Sequence, residues 1–222
     1  MSEHEPIRSF VIAVDGPAAS GKGTIAKRLG AAFDLPVLDT GLLYRCVGMT
    51  VKAAGGDLDD ADAAQAAAVL ITADLLEDPK LRTREAGEAA SRVAVHPRVR
   101  DALWDFQRTF ARQEGGAILD GRDIGTVIVR DAPVKLYVTA SPQVRAERRW
   151  KQLKAAGEAV SLDAVLADIR KRDARDGGRD AAPMKPAPDA VLLDTSEMTI
   201  EAAADAARRI VEAARAGWET PT

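Results

Sequence analysis

The sequence predicts an α/β fold in which helices flank a parallel sheet of five strands. Two observations lead to this prediction. Short apolar runs, which are typical of strands buried on both faces, alternate with helical patterns along the 222 residues. A glycine-rich segment also follows the first apolar run directly and opens a helical pattern. The five predicted strands are residues 10–14, 36–39, 117–120, 134–138 and 190–194.

The glycine-rich segment has the spacing of a phosphate-binding loop. Residues 16–22 read GPAASGK, which is G-x-x-x-x-G-K placed between a strand and a helix. Glycines let the backbone wrap an anion with its amides pointing inward, and the following helix adds the positive end of its dipole. Lys22 supplies a mobile charge, and the hydroxyl comes two places later, at Thr24, because Gly23 intervenes. A turn that only connects two elements is the alternative.

The helical pattern is read in chain order from spacing and from terminal signals. A helix is predicted from Lys22 to Phe33, and the second strand ends in a turn at Thr40 and Gly41. Thr199 is the predicted cap of the last helix, which spans residues 200–216 and stops at Gly217. The other predicted helices are residues 42–54, 57–77, 83–95 and 97–112, with a turn at 78–80.

The strands and helices predict one domain over residues 1–222 with two insertions. The core comprises residues 10–40, 113–144 and 186–217, and an all-helical insertion occupies residues 41–112. Residues 145–185, which we call the basic segment, carry eleven basic and seven acidic side chains in a chain whose net charge is −3. A solvated charged helix is the alternative for this segment, but cations beyond the loop are needed to transfer a phosphoryl group.

Composition excludes several classes of protein. The net charge of −3 argues against a general nucleic-acid binder, and no apolar run approaches the roughly 18 residues of a membrane span. The single cysteine, Cys46, excludes an internal disulfide framework and is read as a small buried side chain. The first nine residues lack the apolar region of a signal peptide, so a cytoplasmic location is expected. His4 and His96 are read as plain surface or loop histidines, and no protein metal ligand is predicted.

The loop indicates that the protein binds a nucleoside triphosphate. The rest of the chain limits the classes of nucleotide-binding protein to which it can belong. A guanine-reading Asn-Lys-x-Asp motif is impossible because the chain contains no asparagine. A small kinase remains, with one insertion for the acceptor and one that closes over the donor. Arg172, Arg175, Asp176 and Arg179 are spaced by three and four residues, so a helix would place them on one side. Gly177 and Gly178 are read as the end of that helix, which leaves Arg179 on a loop.

Four separated motifs resemble those of the bacterial cytidylate kinases, within the nucleoside monophosphate kinases. They are DTGLLYR at 39–45, ASRVA at 90–94 with PRVR at 97–100, GRDIGTV at 121–127, and RDARD at 172–176 followed by Arg179. The resemblance runs from residue 10 to residue 214. It implies a P-loop kinase fold whose two insertions are the nucleoside monophosphate-binding insertion and the lid.

The resemblance also implies a role for each matching residue. The ATP-binding residues would be Gly16, Pro17, Ala18, Ala19, Ser20, Gly21, Lys22, Gly23, Thr24 and Arg148. The CMP-binding residues would be Thr40, Tyr44, Arg45, Ser91, Arg100, Arg122, Asp123, Asp176 and Arg179. The catalytic residues would be Lys22, Arg122 and Arg172. Ser91, Arg100 and Asp123 would read cytosine, because an acid can accept from its exocyclic amine. A core aromatic with a satisfied hydroxyl is the alternative for Tyr44.

The implied reaction is in-line phosphoryl transfer from ATP to CMP, and also to dCMP, in pyrimidine nucleotide metabolism. No general base is needed, since the acceptor oxygen is already anionic. Mg²⁺ would be held mostly by the ATP phosphates and water, with Asp120 steadying the water shell. A monomer without nucleic-acid or membrane partners is expected.

One departure from the family and two rival functions stand beside this interpretation. Many bacterial members carry a small β-sheet insertion before residues 81–83, and the segment between residues 76 and 81 is too short for it. That departure puts in doubt how tightly the acceptor insertion closes and how ribose is distinguished from deoxyribose. A kinase for another small acceptor, such as UMP or a non-nucleotide, is the first rival. A nucleotide-binding regulatory module without catalysis is the second.

Overall fold

The computed structural model describes residues 7–218, so the prediction for His4 lies outside the described residues. Its centre is a five-stranded parallel sheet in the order β2-β3-β1-β4-β5. The strands are β1 Val11–Asp15, β2 Val37–Asp39, β3 Ala117–Asp120, β4 Val134–Thr139 and β5 Val191–Asp194. The predicted α/β class, the strand number and the parallel arrangement are confirmed.

Eight α-helices surround the sheet in the described part of the chain. They are α1 Lys22–Phe33, α2 Thr40–Ala53, α3 Ala61–Ala68, α4 Arg84–Val93, α5 Pro97–Ala111, α6 Pro142–Ala155, α7 Leu162–Gly177 and α8 Ile200–Ala216. Two 3₁₀ turns lie at Ala73–Glu77 and Pro79–Arg82, and a π-helical turn lies at Ile124–Ile128. Within residues 7–218, no helix is long and apolar enough to cross a membrane.

The two faces of the sheet are buried in two separate apolar clusters. Along β1, Val11 and Ala13 belong to one cluster, whereas Ile12 and Val14 belong to the other, as the period of two in a strand requires. The first cluster includes side chains of α2 and α5, and the second includes side chains of α1 and α8. The carboxyl ends of β1, β2 and β3 therefore meet at one edge of a sheet covered on both sides.

Two local predictions are wrong. Thr40 and Gly41 form no turn: the Asp39 carboxylate accepts a hydrogen bond from the Gly41 amide at 3.0 Å, so it caps α2, which begins at Thr40. Residues 57–77 form no continuous helix. Asp60 caps α3 through the amides of residues 62 and 63, so α3 starts at Ala61. The helix ends at Ala68, and the next two residues, Val69 and Leu70, are 65% and 64% exposed.

The basic segment forms a helical hairpin rather than a solvated helix. Its helices α6 and α7 pack through a small apolar cluster that includes Ala146, Leu153 and Ile169. The predicted stop at Gly177 is confirmed, and Arg179 follows outside the helix. Asp176 of α7 and Arg179 after the helix are both buried, so two charged groups at this end of the segment point into the protein. Cys46 is also buried, as predicted.

Asp15, the last residue of β1, is a buried carboxyl group that accepts hydrogen bonds from the amides of Ile124 and Gly125 at 2.8 Å each. Burial raises its pKa from 3.8 to about 7, and the nearby Asp123 and Asp120 add to the rise despite the two amides. Tyr137 is its register neighbour on β4, and the stem of Lys135 passes Gly125 on the same side.

This pKa predicts a pH dependence of stability. The folded protein binds a proton on Asp15 more tightly than the unfolded chain does. The stability that this proton contributes is therefore fully present below pH 3.8 and is lost as the pH rises to about 7. The free energy of unfolding of the wild type should therefore fall relative to that of Asp15→Asn between pH 4 and 7, by at most about 4 kcal/mol. Urea unfolding at several pH values measures this difference. A difference that is constant with pH would contradict the prediction.

Candidate active site

The loop between β1 and α1 has the backbone shape that anion binding requires. Gly16 has φ +141°, and a Cβ atom there would lie 2.0 Å from the Val138 carbonyl oxygen, so only glycine fits. Gly21 stands at the N-cap of α1 with φ +96° and offers no side-chain cap. The first amides of the helix are thus left for a ligand at the positive end of the helix dipole.

Lys22 lies beside the carboxyl end of β3. Its Nζ is 3.2 Å from Asp120 Oδ1, and both side chains are largely buried. Burial and the nearby Arg122 lower the pKa of Lys22, whereas Asp120 and Asp39 raise it. Burial raises the pKa of Asp120, and Lys22 opposes that rise. The Ser20 hydroxyl is buried and makes no hydrogen bond in the described structure, so it has capacity for a polar ligand.

A cavity of about 540 Å³, which we call the loop cavity, opens over Lys22. Of the residues predicted to bind ATP, it is lined by Ala19, Ser20, Gly21, Lys22, Gly23, Thr24 and Arg148. Sequence reasoning missed a second wall, formed by Thr195, Met198, Thr199, Ile200 and Ala203. That wall comes from the connection after β5 and the start of α8, where no local pattern signals a ligand.

A second, much smaller cavity lies at the carboxyl ends of β2 and β3. This inner cavity of about 40 Å³ gathers every residue predicted to bind CMP except Arg45. Its predicted members are Thr40, Tyr44, Ser91, Arg100, Arg122, Asp123, Asp176 and Arg179, and Arg172 also lines it. Tyr44 also packs in the apolar core.

Two acidic groups organise the charges of the inner cavity. Asp123 forms a buried ion pair with Arg100, whose guanidinium lies 5.6 Å from the centre of the Tyr44 ring. Asp176 accepts hydrogen bonds from the Ser91 hydroxyl at 2.9 Å and from Arg122 Nε at 3.3 Å. Burial raises the pKa of Asp123. Burial acts in the same direction on Asp176, but Arg122 and Arg172 hold its pKa below the usual value.

A third cavity of about 630 Å³, which we call the cationic cavity, is adjacent to the other two. It shares Ala19, Arg45, Arg149 and Gln152 with the loop cavity and Arg172 with the inner cavity. Ala18 of the loop also lines it, whereas Gly16 and Pro17 line none of the three. Burial and the neighbouring Arg122 lower the pKa of Arg172 to about 10, so it remains a cation at neutral pH.

Helices α4 and α7 form two walls of the cationic cavity and are joined by ion pairs. Arg84 Nε donates to Asp168 Oδ2 at 2.7 Å, and Arg175 Nη2 donates to Glu88 Oε1 at 2.7 Å. The basic segment is thereby held against the helical insertion, with Arg172 between them. The Arg45 guanidinium, the one predicted CMP-binding group outside the inner cavity, is held by the Leu81 carbonyl at 2.7 Å.

Two adjacent arginines of α6 have different surroundings. Arg148 donates to the Thr195 hydroxyl at 2.9 Å, the Thr195 carbonyl at 2.7 Å and the Ser20 carbonyl at 3.3 Å. Its guanidinium is therefore engaged in tying the loop to the connection after β5. Arg149, which sequence reasoning missed, has a 3.4 Å contact with Gln152 Oε1 and lines both larger cavities.

The chain was compared with known proteins. The family model described as cytidylate kinase matches residues 12–214. A cytidylate kinase of Caulobacter sp. (strain K31) is 68% identical over 96% of this chain and 99% of its own. One from Caulobacter vibrioides (strain NA1000 / CB15N) is 67% identical over 93% of this chain and 97% of its own. One from Xanthobacter autotrophicus (strain ATCC BAA-1158 / Py2) is 61% identical over 94% of this chain and all of its own.

Among solved structures, an uncharacterized protein from Eubacterium ventriosum aligns with a TM-score of 0.54 over 92% of this chain and 99% of its own. At 14% identity, this likeness concerns the fold alone. The family match covers more than the fold, because residues 12–214 include the phosphate-binding loop, every residue that lines the inner cavity and the basic segment. The chain belongs to the cytidylate kinase family of phosphotransferases, and it has the P-loop kinase fold that its sequence predicted.

Proposed function

We propose that this protein transfers the γ-phosphoryl group of ATP to CMP and dCMP, giving CDP and dCDP, in pyrimidine nucleotide metabolism. The observation that carries the proposal is the cationic cavity, which shares lining residues both with the cavity over the phosphate-binding loop and with the buried site that contains the Arg100–Asp123 pair. The names of the relatives support the same acceptor. A cytoplasmic monomer fits a reaction between two diffusible nucleotides.

The loop cavity would hold ATP. The amides at the start of α1 and Lys22 face the space above the loop, which suits the β- and γ-phosphates. Met198 and Ile200 offer an apolar surface for the adenine ring at the opposite wall. Arg149 would meet the phosphates from the side of α6, and Arg148 would keep the loop in shape through its bonds to Ser20 and Thr195.

The inner cavity would hold CMP. Asp123 would accept from the exocyclic amine of cytosine, and Arg100 and Ser91 would complete base recognition. Asp176 would hold the sugar hydroxyls, while Arg45, Arg122 and Arg179 would clamp the acceptor phosphate. Thr40 and Tyr44 line the remaining wall.

Catalysis would rest on position and charge. Lys22, Arg122 and Arg172 converge from the loop, from the segment after β3 and from α7, so they can stabilise the charge of the phosphoryl group as it moves. The acceptor oxygen is anionic, and no side chain has to remove a proton. The ion pairs between α4 and α7 would help to exclude water while the transfer occurs.

The donor set of the loop cavity fits Mg²⁺, which supplies charge neutralisation between the ATP phosphates when bound. The Thr24 hydroxyl and the Asp39 and Asp120 carboxylates, all oxygen donors, line that cavity. Asp120 is paired with Lys22 and lines the same cavity, where its carboxylate could also accept from metal-bound water. Within residues 7–218, no three acidic, histidine or cysteine side chains are placed to hold a metal ion together, so phosphates and water would supply most ligands.

The division into core, helical insertion and lid is part of this proposal. Residues 41–112 would close on CMP and residues 145–185 on ATP, with the sheet as the fixed core. Nucleotides need a path into the small inner cavity, and a change in the relative position of α4 and α7 would provide it. Lid positions that are identical with and without both nucleotides would contradict this division.

The experiment that tests the function is ADP release with Mg-ATP and a panel of CMP, dCMP, UMP, AMP, GMP and shikimate. Turnover restricted to CMP and dCMP supports the proposal, including the base-reading residues. Turnover of a different acceptor would still support a kinase, but it would contradict the assignment of Ser91, Arg100 and Asp123 as base readers. Binding of ATP without turnover of any acceptor would favour a regulatory module instead.

Arg172 is expected to act mainly on the group being transferred. It is partly buried and lines both the inner and the cationic cavity, where a guanidinium can stabilise charge that develops during transfer. Arg172→Ala should lower kcat about 100-fold or more and change the KM for CMP by less than about fivefold. Steady-state kinetics with Arg170→Ala, an exposed arginine of the same helix, provides the control. A large rise in KM with unchanged kcat would make Arg172 a binding residue.

A further inference from the structure

Asp15 joins the phosphate-binding loop to the segment that carries Arg122 and Asp123. It directly precedes Gly16, the first residue of the loop, and is 4% exposed. Its two oxygens bind the amides of Ile124 and Gly125, the first residues of the π-helical turn that follows Asp123. The Asp15 carboxylate therefore links the start of the phosphate-binding loop to the end of the segment that carries Arg122 and Asp123.

Burying the Asp15 carboxylate costs free energy, which its hydrogen bonds have to offset. Within residues 7–218, no cation forms an ion pair with Asp15, so the two amides are its compensation. The packing around it is also tight. A Cβ atom at Gly125 would lie 3.1 Å from Lys135 Cδ and 3.5 Å from Asp15 Oδ2, so glycine permits the close approach of this backbone.

The same turn fixes Asp123 from its other side. The Asp123 carbonyl oxygen accepts from the Val127 amide at 2.8 Å and from the Ile128 amide at 3.3 Å. Upstream, the Gly121 amide donates to the Val14 carbonyl of β1 at 2.9 Å. The segment 121–125 is therefore anchored to β1 at both ends, through Val14 and through Asp15. The directions in which Arg122 and Asp123 leave the backbone depend on these anchors.

We infer that Asp15 is a positioning residue for the acceptor: it sets the place of Arg122 and Asp123 relative to the phosphate-binding loop. The inference rests on the proposed function, in which Arg122 clamps the acceptor phosphate and Asp123 reads its base. Loss of an anchor should loosen the acceptor side more than the donor side, because α1 and the loop keep their own packing against the sheet.

Asp15→Asn tests the inference. Asparagine keeps the shape but presents one NH₂ group to an amide donor, so one of the two anchors is lost. The KM for CMP should rise at least tenfold, whereas the KM for ATP should change by less than twofold. Asp131→Asn is the matched control, because Asp131 also accepts a backbone amide, that of Ile7 at 2.8 Å, and lines none of the three cavities. Equal changes in both KM values, or none, would overturn the inference.

A second measurement separates this inference from the proposed function. Hydrogen exchange in the protein without nucleotide should be faster over residues 121–128 in Asp15→Asn than in the wild type, and unchanged over residues 22–33. If Asp15→Asn does not fold, hydrogen exchange of the wild type alone tests the inference. The amides of Ile124 and Gly125 should then exchange as slowly as the amides of β1. Fast exchange of these two amides overturns the inference. Slow exchange of these two amides without turnover of CMP would overturn the proposed function but would agree with Asp15 as an anchor of this segment.

Discussion

Lys22→Met should lower kcat by about a thousandfold or more while the protein still binds ATP. The ammonium group lies between the loop and Asp120, where it can meet the oxygens that gain charge during transfer. Removing one such donor from a preorganised site typically costs a factor of about 10² to 10³, and loss of a cation at a phosphoryl group costs about 10³ to 10⁵. Single-turnover measurements of CDP formation at saturating ATP would measure the loss at the chemical step.

The ion pair with Asp120 complicates this substitution and also supplies its control. Lys22→Met leaves the buried Asp120 carboxylate without its cation, which lowers stability and raises the Asp120 pKa further. The double variant Lys22→Met/Asp120→Asn removes that unpaired charge. Its melting temperature should recover towards that of the wild type, but kcat should not. Recovery of kcat in the double variant would show that Lys22 serves only to neutralise Asp120.

Asp123→Asn should reduce the preference for CMP over UMP at least tenfold, measured as the ratio of the two kcat/KM values. A carboxylate accepts from the exocyclic amine of cytosine, whereas the carbonyl of uracil in the same place would face it without a proton between them. Asparagine can donate to that carbonyl, so the variant should lose activity on CMP and gain relative activity on UMP. One such contact is worth about 1–3 kcal/mol of discrimination.

The Arg100–Asp123 pair sets the control for this variant. Removing the charge of Asp123 leaves the buried Arg100 with a weaker partner, which can lower stability without any role in specificity. Asp189→Asn removes the charge of a different ion pair, with Lys135, and Asp189 lines none of the three cavities. It should leave the CMP to UMP ratio unchanged. An equal fall in activity on both nucleotides in Asp123→Asn would remove its assignment as a base reader.

The parts of the fold predicted well are those with local signals at both ends. Helix α1 begins and ends where the loop and the spacing of apolar residues place it, and α8 runs from its Thr199 cap to Gly217 as predicted. The end of α7 at its glycine pair was equally visible. Capping side chains and glycines act within one turn of the chain, so the sequence alone is sufficient to locate them.

The errors arise where distant packing decides. The alanine-rich residues 57–77 have high helix propensity throughout, yet α3 is the one α-helix among them, and it ends just before the exposed Val69. In the same way, the sequence cannot distinguish Arg148 from Arg149. The first is engaged by Thr195, which is 47 residues away, and only the tertiary structure reveals that contact.

In the proposed function, the self-paired charges of the inner cavity mean that CMP would be bound by exchange of partners. Arg100 is held by Asp123, and Asp176 is held by Ser91 and Arg122, in a space of about 40 Å³. An incoming CMP would have to replace these contacts with its own, so a correct base would gain little net binding free energy from attraction alone. A wrong base would be rejected because it would separate a buried ion pair without offering a new partner to one of the two groups. Selectivity would then be visible in the rate of association, which should be slower than diffusion for CMP and slower still for UMP.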